Sequence, residues 1–135
     1  MPDILSRIDC NFIPVNNISE SIDWYVNKLG CKFMWHDGGY AALNVTMNQP
    51  KEGQGNIVLG QAMITLVQVD EVVPLTFSFD HREHPVINFY TSDIYYTHSQ
   101  LKANGVEVSE INEYGPLKGM EFVDLNGHLF GVCSF

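Results

Sequence analysis

Basic residues are scarce in this chain. Seven Lys and Arg stand against 16 Asp and Glu, for a net charge of −9. Nucleic-acid binders need a cationic footprint to neutralise phosphates, and an anionic membrane surface needs the same. The charge balance therefore excludes both partners. Cysteine is also scarce. Cys10, Cys31 and Cys133 are an odd number with no CxxC spacing, which excludes a disulfide framework and a structural zinc site and fits a reducing compartment. Long apolar runs are missing. Nothing approaches the roughly 18 residues needed to cross a bilayer, and the first ten residues, MPDILSRIDC, lack the apolar core of a signal peptide. A cytoplasmic protein is expected.

What is present is enough for a core: 45% of the 135 residues are hydrophobic, which is ordinary for a folded domain. The organising pattern is a repeat. Cys10–Gly30 (CNFIPVNNISESIDWYVNKLG) alternates like a strand, meets Asn17 as helix N-cap, and ends at Gly30 after an apolar stripe of Ile18, Ile22, Tyr25 and Leu29. Val86–Gly105 (VINFYTSDIYYTHSQLKANG) has the same layout, with Asp93 as cap and Gly105 as stop, about 76 residues later. Two copies mean a duplicated module rather than a solenoid.

After the first helix, Cys31–His36 and Tyr40–Val45 read as strands around an Asp37-Gly38-Gly39 turn. Residues 47–56 read as a loop, and Gln61–Val69 as the strand that closes the module. Asp70–Pro85 has no clean period and two prolines, so it reads as a connector; His81 and His84 within it read as loop histidines. The second module continues with a short strand at Val106–Ser109, a loop at Glu110–Lys118, a strand at Gly119–Val123, a turn at Asp124–Gly127 and a last strand at His128–Phe135. The expectation is an α+β fold of two tandem βαβββ modules, about 6–69 and 86–135, within one domain spanning 1–135. The sheets would be curved and mixed around a cleft, with one helix per module on the outer face.

That order resembles the vicinal oxygen chelate superfamily, the glyoxalase, bleomycin-resistance and extradiol-dioxygenase fold. The resemblance is carried by Pro14-Val15 before the first cap, Ser21–Tyr25 with Leu29-Gly30, the Phe89…Asp93-Ile94…Leu101…Gly105-Val106 run, and Asp124-Leu-Asn-Gly127 before the final strand. It implies a cleft with up to four metal ligands, usually His, Glu or Gln, one per strand. Counting from the caps and turns puts those positions at Cys10, Thr65, Val86 and Gly131. None is a standard ligand there, so the expectation is no metal, no cofactor and no catalytic residue.

Strand alternation places Phe12 beside Cys10, Met63 and Val67 beside Thr65, Asn88 and Tyr90 beside Val86, and Leu129 and Cys133 beside Gly131. This mostly apolar lining suits a small organic ligand of aromatic or cationic character. The candidate ligand-binding set is Cys10, Phe12, Met63, Thr65, Val86, Asn88, Tyr90 and Gly131. Trp35, Tyr40 and Tyr114 are possible rim rings whose facing the alternation does not determine. Two other readings stay open. One is a metal-dependent lyase or dioxygenase with ligands moved to His36, His84, His128 or a glutamate. The other is a non-catalytic dimeric scaffold with a filled core. The resemblance also implies a homodimer.

Overall fold

A computed structural model describes residues 3–46 and 62–135. The loop expected over 47–56 lies outside the described residues. The chain divides into two compact units, Met1–Asp70 and Glu71–Phe135.

The first unit runs β1 (Asn11–Val15), α1 (Ile18–Leu29), β2 (Lys32–Asp37), β3 (Tyr40–Asn44) and β4 (Met63–Gln68). Its sheet has the order β1-β4-β3-β2. β1 lies parallel to β4, and the other two pairs are antiparallel. The helix starts where the sequence placed its cap: the Glu20 N–H donates to Asn17 Oδ1 at 3.0 Å. It stops at Gly30, whose φ of 75° is left-handed and favours glycine. The buried helix stripe is Ile18, Ser21 and Tyr25. Ser21 is fully buried, while Ile22, expected on the stripe, is half-buried. Ile13, Leu43 and Leu66 are fully buried in this unit's core. Each such side chain contributes about 1.5–3 kcal/mol relative to exposure.

The second unit repeats this plan with additions. A hairpin of β5 (Thr76–Phe79) and β6 (Arg82–Pro85) comes first. It occupies the stretch read as a connector. Its turn holds Asp80 and His81 at φ 52° and 62°, so a two-residue turn forms without glycine. Then follow β7 (Asn88–Tyr90), α2 (Ile94–Ala103), β8 (Glu107–Val108), β9 (Asn112–Tyr114), β10 (Leu117–Val123) and β11 (Leu129–Ser134). β9 pairs with β10 inside the segment expected as a loop, and the Tyr95 hydroxyl donates to Glu113 upon it. The sheet order is β7-β11-β10-β8, with β7 parallel to β11. Asp93 caps α2 by accepting from the Tyr96 N–H at 3.1 Å. Phe122 and Phe130 pack 5.3 Å apart by ring centroid in the core, with Phe89 beside both. His128, read as a turn or strand-start residue, is fully buried, and its Nδ1 accepts the Leu75 N–H at 3.0 Å.

Helix α1 packs on β2, β3 and β4, and α2 on β8, β10 and β11. Each unit is thus an α+β layer pair with a mixed sheet and one helix.

Two outcomes follow from this packing. Replacing Asn17 or Asp93 with Ala removes a cap acceptor, and each change is expected to lower stability in urea by about 1 kcal/mol. Cys31, beneath the first sheet, is 2% exposed, and burial pushes its thiol up to about 12, with Lys32 opposing slightly. Above the ordinary thiol value of 9.0, the unfolded chain loses this proton while the folded chain keeps it. Stability should therefore fall as pH rises from about 9 to 12, and Cys31→Ala should flatten that slope in alkaline denaturation curves.

Candidate functional site

In each unit the helix covers one sheet face, and the candidate residues lie on the other. Directly paired residues share a face. In the first unit Phe12, Thr65, Ala42 and Trp35 form one row across the sheet. Pro14, Val67, Tyr40 and Asp37 form the next. Asn44 and Met63 are paired at the other end, and Cys10 lies just ahead of β1. The Thr65 hydroxyl donates to Cys10 Sγ at 3.3 Å. Phe12, Pro14, Tyr40, Val67 and Val69 line an open depression of about 300 Å³.

Trp35 and Tyr40 thus stand on the same face as Phe12, which alternation alone did not determine. β2 carries a bulge between Phe33 and Trp35. Without it those two residues would share a face. With it, Phe33 pairs Leu43 on the helix side and Trp35 pairs Ala42 on the open side. Phe12 is 62% exposed and Trp35 46%. These rings do not fill a core.

The second unit presents a different chemistry on the equivalent face. Asn88, Gly131 and Glu121 form one row, and Tyr90, Cys133 and Gly119 the next. Val86 lies just ahead of β7 and is exposed. The Asn88 Nδ2 donates to Cys133 Sγ at 3.2 Å. The Tyr90 ring packs on Phe135 at 5.0 Å between centroids, and its hydroxyl donates to the Phe135 carbonyl at 3.4 Å.

The strand pairing also ties the four expected ligand positions together. Phe12 pairs Thr65, and Asn88 pairs Gly131; Phe12 and Asn88 are 76 positions apart in the repeat. Cys10 is therefore equivalent to Val86, and Thr65 to Gly131. These residues do not fit a metal centre. Val86 and Gly131 offer no side-chain donor. Cys10 and Thr65 bond to each other. A Cβ on Gly131 would stand 2.5 Å from Asn88 Oδ1 and 3.3 Å from Pro85 Cγ, so the amide of the neighbouring strand already fills that space.

The histidines considered as relocated ligands are engaged separately. His36 Nε2 bonds the Gly38 carbonyl at 3.0 Å, His84 Nδ1 bonds the Pro85 carbonyl at 2.8 Å, and His128 takes the Leu75 N–H. His84 also stacks on Phe77, in a strand rather than the loop expected for it. Among the described residues no group of three His, Cys, Asp or Glu side chains is placed to hold a metal ion.

Comparison with known proteins gives a consistent picture. The family model described as Glyoxalase/Bleomycin resistance protein/Dioxygenase superfamily matches residues 6–132. TioX from Micromonospora sp. ML1 superposes with a TM-score of 0.68 at 14% identity, covering 96% of this chain and 98% of that one. A superfamily member from Sphaerobacter thermophilus has a TM-score of 0.69 at 18% identity, covering 98% and 99%. A mutant of the fosfomycin resistance protein FosX from Listeria monocytogenes, complexed with Mn(II) and a dihydroxypropylphosphonic acid, has a TM-score of 0.65 at 14% identity, covering 96% and 90%. At these identities the likeness is one of fold. No curated protein sequence matches the chain.

The packing of Asn88 over Gly131 can be tested directly. Gly131→Ala is expected to cost about 1–3 kcal/mol through overpacking. Asn88→Ala in the same chain should recover most of that loss. Urea denaturation of the two single variants and the double variant measures the coupling. Additive penalties would show that the amide is not the obstacle.

Proposed function

The chain belongs to the glyoxalase/bleomycin resistance protein/dioxygenase superfamily, and from that premise we propose that it binds a small organic molecule without a metal ion. The observation that carries this reading is the treatment of the four ligand positions. Two have no donor, and the other two, Cys10 and Thr65, bond to each other. A divalent ion handling oxygen chemistry needs several nitrogen or oxygen donors converging on one point, and these positions do not supply them. The sheet faces away from the helices supply the alternative, with Ala42 and Thr65 buried at the centre of the first. They carry exposed rings at Phe12, Trp35, Tyr40 and Tyr90 with a few polar groups between them. Such a surface binds by burying apolar area and orients its ligand by a few hydrogen bonds.

The candidate contacts are Cys10, Phe12, Met63 and Thr65 in the first unit and Val86, Asn88, Tyr90 and Gly131 in the second. An aromatic or cationic compound suits this set and the acidic balance of the chain. The protein would act by sequestering that compound rather than transforming it, as a homodimer in the cytoplasm. The exposed apolar side chains support self-association. No helix among the described residues is long and apolar enough to cross a membrane.

Elemental analysis of protein purified without chelator should find far less than one metal per chain. Added Ni²⁺, Zn²⁺, Mn²⁺ or Fe²⁺ should leave the melting temperature unmoved. A screen of organic compounds by thermal shift should give chelator-insensitive hits, since a ligand at 100 times its Kd stabilises by about 2.7 kcal/mol. One metal per chain, lost on replacing His36, His84 or His128, would instead overturn this reading and point to a relocated metal site.

A further inference from the structure

We propose that the outer edge of β5 docks a second copy of this chain, in an antiparallel β5–β5 pairing centred on Ser78. The inference is independent of the small-molecule reading. It rests on the homodimer proposed above and names the contact that would make it.

The hairpin geometry fixes which backbone groups are free. Phe79 and Arg82 close the two-residue turn at Asp80 and His81, both at positive φ. In such a turn the closing residues exchange backbone hydrogen bonds, and pairs then alternate along the ladder. Phe77–His84 is therefore a hydrogen-bonded pair, while Ser78–Glu83 and Thr76–Pro85 are not. The Ser78 N–H and C=O point away from β6. Pro85, which has no N–H, sits where the ladder needs none. The Thr76 N–H is taken by the Pro74 carbonyl at 3.0 Å. Among the described residues β5 pairs with β6 alone, and Ser78 is exposed.

The two strands of the hairpin differ as edges. β6 carries Arg82, Glu83 and Pro85, which discourage a further strand. β5 reads Thr-Phe-Ser-Phe, with no charge and no proline, and an edge of that kind is a template for pairing. Its register is also self-complementary. When Ser78 of one copy faces Ser78 of the other across a twofold axis, the two exchange both outward bonds. Phe77 of each copy then falls opposite Phe79 of the other, at the pairs where side chains come closest. Four Phe rings meet on one face, an aromatic cross-strand cluster. His84, stacked on Phe77 at 4.7 Å and edge-on to Phe79 at 5.8 Å, flanks them. Phe77 is 48% exposed and Phe79 59%, so each ring has an open side to offer.

Charge allows the contact here. A net charge of −9 makes copies repel one another, and like charges directly opposite destabilise a sheet. No charged side chains stand opposite each other in this register. The Arg82 side chains of the two copies share the aromatic face but lie three strand spacings apart, roughly 14 Å. That exceeds the Debye length of about 8 Å at physiological ionic strength. Area sets the strength. The open sides of four rings amount to roughly 400 Å², well below the about 1,200 Å² of a stable interface. The pairing is therefore reversible, and weaker than about 1 µM.

The test is sedimentation velocity on the full chain over a concentration series. The mass should pass from monomer toward dimer as concentration rises. Ser78→Pro removes the outward N–H and leaves the β5–β6 hydrogen bonds in place. It should weaken association about tenfold, for the two bonds lost at the twofold axis, with the melting temperature nearly unchanged. Ser78→Cys gives a second reading. The Cα atoms of a hydrogen-bonded antiparallel pair are about 5.5 Å apart, within disulfide range, so mild oxidation should join two copies of this variant. Glu83→Cys, exposed on the other strand, should give no more covalent dimer than the wild type, whose own three cysteines set the background. Dimers that Ser78→Pro leaves unchanged would overturn the β5 assignment and leave the homodimer standing. Should that variant also lower the melting temperature, the cross-link decides, and its absence above background overturns the assignment. Monomer at every concentration, with no Ser78→Cys cross-link, would overturn both. The thermal-shift hits expected of the small-molecule reading do not depend on this edge.

Discussion

The parallel pairing of the strand before the helix with the last strand, within each unit, is the constraint on which the rest depends. A tight turn can close an antiparallel pair but not a parallel one. Between β1 and β2, and again between β7 and β8, the chain passes through a helix that packs on one side of its own sheet. The two sides then meet different demands. Beneath α1, Ile13, Ala41 and Leu66 are fully buried, while Phe12, one position along the same strand, is mostly exposed. Apolar residues on the helix side follow from folding. Apolar rings on the other side do not follow from that packing.

The two units use a similar device at positions that are not equivalent. In each, a polar side chain donates to a sulfur across the parallel pair: Thr65 of β4 to Cys10 just ahead of β1 in the first, Asn88 of β7 to Cys133 of β11 in the second. Groups that could have turned toward a ligand are thereby held within the sheet. The faces still differ in character. The first is largely aromatic and aliphatic, with its charge at the edge strand. The second carries an amide, a thiol, a phenol and the half-buried Glu121. Duplication preserved the backbone plan while the two surfaces acquired separate chemistry.

Much of this was legible from residues alone. The helix caps at Asn17 and Asp93, the stop at Gly30 and the turn at Gly38-Gly39 are local signals, and local hydrogen bonding obeys them. The face shared by Phe12, Met63 and Thr65 was legible because unbroken strands alternate. What escaped has physical causes. The β5–β6 turn uses Asp80 and His81 at positive φ, where glycine or asparagine is the usual marker. β9 is three exposed residues whose partner strand, not their own composition, makes them a strand. The facing of Trp35 depends on a bulge that no alternation rule predicts. Ser21 takes a core place although it is polar, which an apolar stripe does not mark.

The amide seated over Gly131 also ties two strands together through side chains. A Cβ at 131 would meet Asn88 Oδ1 at 2.5 Å, and the exposed amide could clear it by swinging outward. That swing would break its bond to Cys133 Sγ. A change at any one of these three residues is therefore felt by the other two.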